Sequence, residues 1–284
     1  MRNAPLVFFV PFGVSRQRYR FEGMSVSLHY REYGTDDTAI VLLHGLFGSS
    51  ANWGAVAREL SVRHRVVVPD LRNHGRSPHV DEMSYPAMAA DVAALCDAVG
   101  LDRPLIVGHS MGGKVAMCLA LSRPQRVRGL GVVDIAPVAY DHDFGAILDG
   151  FEAVDPAHLE TRAQADRRMA AHVPDPQVRA FLLQNLVRDA DGWRWRLNLA
   201  ALRAGMARIT GFDCPGGASY PGPAHFIHGE RSDYLLPAHQ PRIRELFPAA
   251  TFCRVADAGH WVFAEQPEGF MRCLQALLDA AGMP

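Results

Sequence analysis

The sequence PLIVGHSMGGKVAM, residues 104–117, contains a G-x-S-x-G pentapeptide between a short apolar run and a longer helical pattern. Residues 104–107 have the β-branched, apolar composition of a buried strand, and residues 111–122 repeat apolar side chains at helical spacing. A strand, a sharp turn and a helix in this order are typical of a nucleophile elbow, which presents a serine Oγ at the end of a sheet. The pattern therefore predicts Ser110 as a nucleophile. A plain Gly/Ser turn is the alternative that the pentapeptide alone leaves open.

The composition is that of an ordinary globular protein. The chain has 284 residues, of which 49% are hydrophobic and 21% are charged. Its formal net charge is -1 and its arginines are scattered along the sequence, so no basic surface for nucleic-acid binding is expected. No stretch is long and apolar enough to span a bilayer, and the apolar run at residues 5–10 is short for a signal peptide and lacks a cleavage site.

The five cysteines are dispersed, and none of them has the spacing of a zinc site or a redox pair. We expect them to be reduced thiols of a cytoplasmic protein that fill the core. No metal and no cofactor is predicted.

Strand and helix signals alternate along most of the chain, which predicts an α/β fold with helices on both faces of a mostly parallel, twisted sheet. The eight strands are predicted at residues 19–21, 25–33, 39–43, 65–69, 104–107, 127–135, 224–228 and 251–255. The first two are expected to form an antiparallel hairpin. The helices predicted in this core cover residues 52–60, 84–99, 111–122 and 265–281.

The alternation breaks after Ile135. Residues from about 137 to 210 have helical composition and no strong strand signal, which indicates a helical insertion between two strands of the sheet. We therefore predict a core domain over residues 1–136, a helical cap over 137–212 and the second part of the core over 213–284. Residues 1–15 are interpreted as an extension of the core.

A serine nucleophile needs a base within hydrogen-bond reach and a third group that orients the base. His260 is the candidate base, because it follows the last predicted strand, where catalytic groups collect in parallel sheets. His109 adjoins the nucleophile, but its side chain is expected to point away from the serine Oγ. His44 and His74 follow earlier strands and are interpreted as structural or pocket-forming residues.

Two carboxylates are candidates for the orienting acid. Asp134 ends the strand after the elbow helix, and Asp233 follows the next strand of the sheet. Ser232 occupies the position about three residues past the glycine that ends that strand, and Asp233 comes one residue later. We favour Asp134 as the acid, with Ser232 as a further hydrogen-bond partner of His260. Asp233 stays open as the alternative acid; its other interpretation is a turn residue.

An acyl-transfer site also needs two backbone N–H donors for the oxyanion. The first candidate is the N–H of Met111, immediately after the nucleophile. The second should come from HGLFGSS, residues 44–50, where glycines let the backbone turn in close. Leu46 is the favoured donor of this loop and Phe47 the next. Phe47 and Trp261 are expected to form walls of the substrate pocket.

Five segments together resemble a known family. They are HGLFGS (44–49), DLRNHGRSP (70–78), GHSMGGKVAM (108–117), VVDIAPVAY (132–140) and AGHWVFAEQP (258–267). From about residue 19 onward the sequence resembles the α/β-hydrolase superfamily, and within it the YbfF-like small carboxylesterases. The resemblance implies an esterase of short acyl chains, or a thioesterase. It also implies a catalytic set of Ser110, His260, Asp134 and Ser232. Where those relatives have a non-acidic residue after the serine, this chain has Asp233.

We therefore expect a serine hydrolase that cleaves carboxylic esters of small or short-chain acyl groups through an acyl-enzyme. Its partner is a small-molecule ester or thioester, and the protein is a monomer or a weak homodimer. The alternatives are an acyl-thioesterase, a carbon–carbon hydrolase, a cofactor-free haloperoxidase, a proline iminopeptidase and, less favoured, a non-catalytic ligand receptor. Ser110 argues against dehalogenases and epoxide hydrolases of this fold, which carry a carboxylate at the elbow.

Overall fold

The central sheet positions every candidate residue of the site. A computed structural model describes residues 25–214 and 219–283 of the chain. The strands of the central sheet are β1 (Tyr30–Tyr33), β2 (Ala39–Leu43), β3 (Arg65–Pro69), β4 (Leu105–His109), β5 (Gly129–Val133), β8 (Ala224–Gly229) and β9 (Ala250–Val255). The spatial order is β1-β3-β2-β4-β5-β8-β9, and only β1 runs antiparallel to its neighbour. The carboxyl ends of the six parallel strands therefore meet at one edge of the sheet.

Helices cover both faces of the sheet. The helices of the core are α1 (Gly54–Leu60), α2 (Tyr85–Ala98), α3 (Met111–Ser122), α8 (Gln240–Leu246), α9 (Val262–Glu265) and α10 (Pro267–Ala280). Successive side chains of β2 point to opposite faces, so Val41 packs with α2 and α3 while Leu42 packs with α1 and α10. Each fully buried aliphatic side chain of this kind stabilises the fold by about 1.5–3 kcal/mol.

The segment between β5 and β8 contains a small hairpin among its helices. Its elements are α4 (Gly145–Glu152), α5 (Arg162–Met169), α6 (Pro176–Leu182), β6 (Leu186–Asp189), β7 (Gly192–Trp195) and α7 (Leu199–Thr210). The expectation that this segment holds no strand is wrong, because β6 and β7 pair in antiparallel register. The two-residue loop Ala190-Asp191 closes the hairpin, and Gly192, the first residue of β7, has a φ of 118.

The core elements follow the sequence pattern with small shifts. Helix α3 has the bounds predicted for it, and Ser84 caps α2 by accepting a hydrogen bond from the Ala87 N–H at 3.4 Å. The strand predicted over residues 25–33 is shorter, and its predicted hairpin partner at 19–21 lies outside the described residues. The described part of the sheet thus has seven strands rather than eight. The closing helix is divided into α9 and α10 at Gln266, because Pro267 starts a new helix.

The cysteines contradict the expectation of five reduced thiols. Disulfides join Cys118 to Cys214 and Cys253 to Cys273, with Cα–Cα distances of 5.5 Å and 5.9 Å, and only Cys96 is free. The first pair is separated by 96 residues in sequence. Long-range packing of α3 against the segment that follows α7 brings the pair together, and cysteine spacing does not reveal such contacts.

Within the described ranges, no helix combines the length and the apolar character that crossing a membrane would require.

Candidate active site

The turn at Ser110 has the strained backbone of a nucleophile elbow. Ser110 lies between β4 and α3 at φ 51 and ψ -118, a conformation that L-residues rarely adopt. The glycines on either side make the turn possible. A Cβ at Gly108 would overlap the backbone of the first turn of α3, and one at Gly112 would lie 2.5 Å from the Leu43 carbonyl oxygen. The turn thus holds the Ser110 side chain at the carboxyl edge of the sheet.

Ser110 Oγ makes no hydrogen bond to any described residue. The serine lines the same cavity as His260, which lies between β9 and α9. Contacts between a nucleophile and its base are often loose without substrate and tighten when substrate binds. Ser110 and His260 thus share one cavity without a hydrogen bond between their described side chains.

The buried Asp134 carboxylate holds the ring of His260. Asp134 follows β5 and is fully buried, whereas 20% of the His260 side chain is exposed. The Nδ1 atom of His260 donates to Asp134 Oδ2 at 2.7 Å. This contact fixes the proton on Nδ1 and leaves Nε2 as an acceptor.

Three donors converge on the Asp134 carboxylate. Besides His260, the Ser232 hydroxyl donates to Oδ2 at 2.5 Å and the Gly229 N–H donates to Oδ1 at 3.1 Å. Asp233 is exposed and makes no side-chain hydrogen bond or ion pair to a described residue. The Ser232 hydroxyl thus bonds the Asp134 carboxylate and not His260, so the expected Ser232–His260 hydrogen bond is wrong. Asp134 is the carboxylate that contacts His260, and Asp233 makes no hydrogen bond to that ring.

Two contacts of His260 are not predicted from the sequence. His109 donates from Nε2 to the His260 carbonyl oxygen at 2.8 Å, and burial lowers the pKa of His109 well below its ordinary value. Tyr234 stacks on the imidazole of His260, with 3.9 Å between ring centroids. The Tyr140 hydroxyl in turn donates to the Tyr234 carbonyl at 2.5 Å. The signals available in the sequence are Tyr234, two residues after Ser232, and Tyr140, the last residue of DIAPVAY.

Two buried histidines hold the loop after β2. His44 donates from Nδ1 to the Gly45 carbonyl at 2.8 Å and accepts the Leu71 N–H on Nε2 at 2.9 Å. The Nε2 atom of His74 accepts the Phe47 N–H at 3.2 Å. Burial lowers the pKa of both histidines, that of His74 to about 3, so both are neutral acceptors at neutral pH.

These contacts distinguish the two candidate backbone N–H donors of the loop. The Phe47 N–H is already bound by His74, whereas the Leu46 N–H has no acceptor among the described residues. The N–H of Met111 is the first of α3 and has no acceptor within the helix. Leu46 and Met111 line the pocket next to Ser110. Both therefore have an unpaired donor beside the nucleophile.

An apolar cavity of about 510 Å³ opens at Ser110. Phe47 and Trp261 both line it, as expected from the sequence. Trp261 lies 5.6 Å, between ring centroids, from Phe181 of α6, so the segment between β5 and β8 forms one wall. The cavity is large enough for an organic ligand. Its lining is mainly apolar and also includes the polar side chains of Asn52, Gln177, Gln184 and Glu265.

The chain's only lysine ties α3 to both ends of the segment between β5 and β8. The Lys114 ammonium donates to the carbonyls of Val138, Thr210 and Gly211 at 2.9, 2.9 and 2.6 Å. Burial lowers its pKa to about 7. The helix that follows Ser110 is thus fastened to both ends of the segment between β5 and β8.

Comparison with known proteins identifies the family of this chain. A family model of the α/β hydrolase fold matches residues 38–267. The chain belongs to the α/β hydrolase fold family. It is 38% identical to the esterase YbfF of Escherichia coli over 248 residues, covering 86% of this chain and 94% of that protein. The expected resemblance to YbfF and to this fold is confirmed.

A second relative and a solved structure cover a similar share of this α/β hydrolase. It is 42% identical over 248 residues to the mouse sn-1-specific diacylglycerol lipase ABHD11, covering 84% of this chain and 80% of that protein. It superposes on the solved structure of a marine microorganism esterase with a TM-score of 0.85 at 36% identity, covering 89% of this chain and 100% of that one.

Proposed function

We propose that this α/β hydrolase is a serine esterase that cleaves carboxylic esters of small or short-chain acyl groups through an acyl-enzyme. The observation that carries the proposal is the strained Ser110 in one cavity with His260, whose ring is held by the buried Asp134 at 2.7 Å. The names of the YbfF esterase and of the marine esterase support ester cleavage.

In this mechanism the Ser110 Oγ attacks the ester carbonyl carbon while His260 Nε2 takes the hydroxyl proton. Asp134 stabilises the imidazolium that forms and stays ionised. His260 then gives its proton to the alcohol oxygen as the bond between acyl carbon and alcohol breaks. Water, deprotonated by His260, attacks the acyl-enzyme, and the same proton returns to the Ser110 oxygen as the acid leaves.

The oxyanion of each tetrahedral intermediate is assigned to the N–H groups of Leu46 and Met111. Both are unpaired within the described part of the chain and flank Ser110. Because these donors are fixed before substrate binds, they stabilise the developing charge without reorganisation. A donor of this kind is worth about 10²–10³ in rate.

The substrate is assigned to the cavity at Ser110. Phe47 and Trp261 serve as walls of this pocket, and residues 137–212 serve as a cap over the core formed by residues 1–136 and 213–284. Apolar side chains dominate the lining, so selection of the acyl and alcohol groups rests mainly on shape and apolar burial. The lining also includes polar side chains besides Ser110 and His260: Asn52, Gln177, Gln184 and Glu265.

A panel of p-nitrophenyl esters and acyl-thioesters of graded chain length tests this function. We expect kcat/KM to be highest for short acyl esters and to fall with chain length, because longer chains must displace packed cap residues. The matched control is each thioester of the same acyl group, measured by thiol release. Preference for thioesters would support the thioesterase alternative, and hydrolysis of neither class would contradict the proposal.

Ser232→Ala is expected to lower kcat on the best ester by about tenfold. The variant removes one of the donors to Asp134, and a hydrogen bond to a charged group is worth about 1.5–3 kcal/mol. His260 and Gly229 still hold the carboxylate. Steady-state kinetics of Ser232→Ala beside Ser61→Ala, which removes an exposed hydroxyl bonded to Arg58, measure the effect. Equal rates for the two variants would show that Ser232 does not assist His260.

A further inference from the structure

A second cleft lies apart from Ser110, between the loop that follows β3 and the β6–β7 hairpin. Four arginines line it: Arg76 from the loop, Arg188 from β6, Arg194 from β7 and Arg196 just after β7. His79 completes the basic side of the cleft, and Asp189 is its one carboxylate. No residue that lines this cleft also lines the cavity at Ser110.

The carboxylate neutralises only one of these arginines. Asp189 Oδ2 accepts from Arg194 Nε at 2.6 Å. Arg188 lies over the Trp193 ring, with its guanidinium carbon 5.7 Å from the ring centroid, and pairs with no carboxylate of the described chain. The guanidinium groups of Arg76 and Arg196 likewise make no hydrogen bond or ion pair to a described side chain. The guanidinium groups of Arg76, Arg188 and Arg196 therefore have N–H donors that no carboxylate of the described chain accepts.

The clustered arginines affect one another's pKa. Burial lowers the pKa of Arg196, and the neighbouring guanidinium of Arg76 lowers it further, while the Asp70 carboxylate opposes both effects. Like charges held together oppose folding, and an anion bound between them would remove this repulsion. The whole chain has 29 Lys and Arg against 30 Asp and Glu, so the cluster does not follow from a basic composition.

We propose that this arginine cleft binds the phosphate group of a phosphate-bearing ligand. The planar fork of an arginine matches two oxygens of one phosphate, and several forks around one concave surface suit a phosphomonoester or a pyrophosphate. Ion pairing of Arg194 with Asp189 and stacking of Arg188 on Trp193 hold two of the forks in place before a ligand arrives. The site is independent of ester cleavage, since its residues lie outside the catalytic cavity.

Isothermal titration of the full-length protein with inorganic pyrophosphate tests the proposal. We expect saturable one-to-one binding that weakens as salt is added, because exposed charges are screened. In the double variant Arg188→Gln/Arg196→Gln the affinity should fall at least about 100-fold, or about tenfold for each charge-assisted contact. Arg196→Lys should lose part of the affinity, because it keeps the charge and not the fork.

Arg242→Gln is the matched control, because it removes an exposed arginine of α8 that pairs with Glu245. Its affinity for pyrophosphate should equal that of the unchanged protein, and all variants should keep their rate on p-nitrophenyl acetate, which verifies the fold. Absence of saturable pyrophosphate binding, together with absence of the phosphatidic acid binding tested below, would overturn the proposal. So would equal weakening in the control and the double variant, which would show a general charge effect. If the double variant unfolds, Arg76→Gln, an exposed position, replaces it.

Vesicle sedimentation separates a lipid headgroup from a soluble phosphate as the source. Phosphatidylcholine vesicles with and without phosphatidic acid are compared on the unchanged protein and on the double variant. Binding to phosphatidic acid that the double variant loses assigns the cleft to a headgroup, and pyrophosphate binding without vesicle binding assigns it to a soluble ligand. Either result supports the phosphate site, and binding of neither probe contradicts it.

Discussion

Ser110→Ala is expected to lower kcat for ester hydrolysis by about 10⁵- to 10⁶-fold, because no other group can form the acyl-enzyme. Alanine keeps the Cβ that the elbow accommodates at φ 51, so the free energy of unfolding should change by less than about 1 kcal/mol. Initial rates on the best p-nitrophenyl ester measure the loss, and urea unfolding verifies the fold.

The matched control for this substitution is Ser122→Ala at the end of α3. Its hydroxyl donates to the Cys118 carbonyl at 2.7 Å, away from the cavity at Ser110. We expect this variant to keep the full rate. A Ser110→Ala enzyme that retained more than about a tenth of the rate would exclude the serine mechanism, since removal of a nucleophile costs far more.

Asp134→Asn is expected to lower kcat by about 10⁴-fold, because an amide in place of the carboxylate favours the wrong tautomer of His260. In the structure Asp134 accepts the Nδ1–H at 2.7 Å, and an asparagine whose NH₂ group faced the ring would force the proton onto Nε2. A histidine with its proton on Nε2 cannot accept the proton of Ser110. Single-turnover acylation by a chromogenic ester measures this step directly.

Asp233→Asn is the control that the chain itself supplies. It makes the same chemical change one residue after Ser232, on a side chain that is exposed and makes no contact with His260. Its rate should lie within about twofold of the unchanged enzyme, as is usual for a surface substitution. If Asp233→Asn lost the rate and Asp134→Asn kept it, the acid would be Asp233, which would contradict the geometry of the site.

Much of this architecture is predictable from local sequence. Apolar periodicity and a glycine-flanked turn predict the bounds of α3 and the elbow, and Ser84 marks the start of α2 through its N-cap contact. The position of His260 follows from its place after the last strand. These features depend on neighbours in sequence, where spacing and side-chain chemistry determine the outcome.

The features that the sequence left open depend on distant contacts. The choice between Asp134 and Asp233 depends on side-chain direction at two strand ends, which a one-residue offset reverses. The His109 contact joins residues 151 apart, and the Cys118–Cys214 pair is separated by 96 residues. The sequence pattern does not predict the hairpin β6–β7, because charged residues mask the alternation of apolar and polar side chains. Asp191-Gly192 is nevertheless a hairpin signal.

Covalent labelling by a fluorophosphonate probe tests the central claim most directly, because such probes react with an activated serine. We predict one phosphonyl adduct per chain, located by peptide mass spectrometry on Ser110, and none in the Ser110→Ala variant. Asp134→Asn should label more slowly than Asp233→Asn. An intact protein that forms no adduct, or forms it on a serine other than Ser110, would contradict the assignment of Ser110 as the nucleophile.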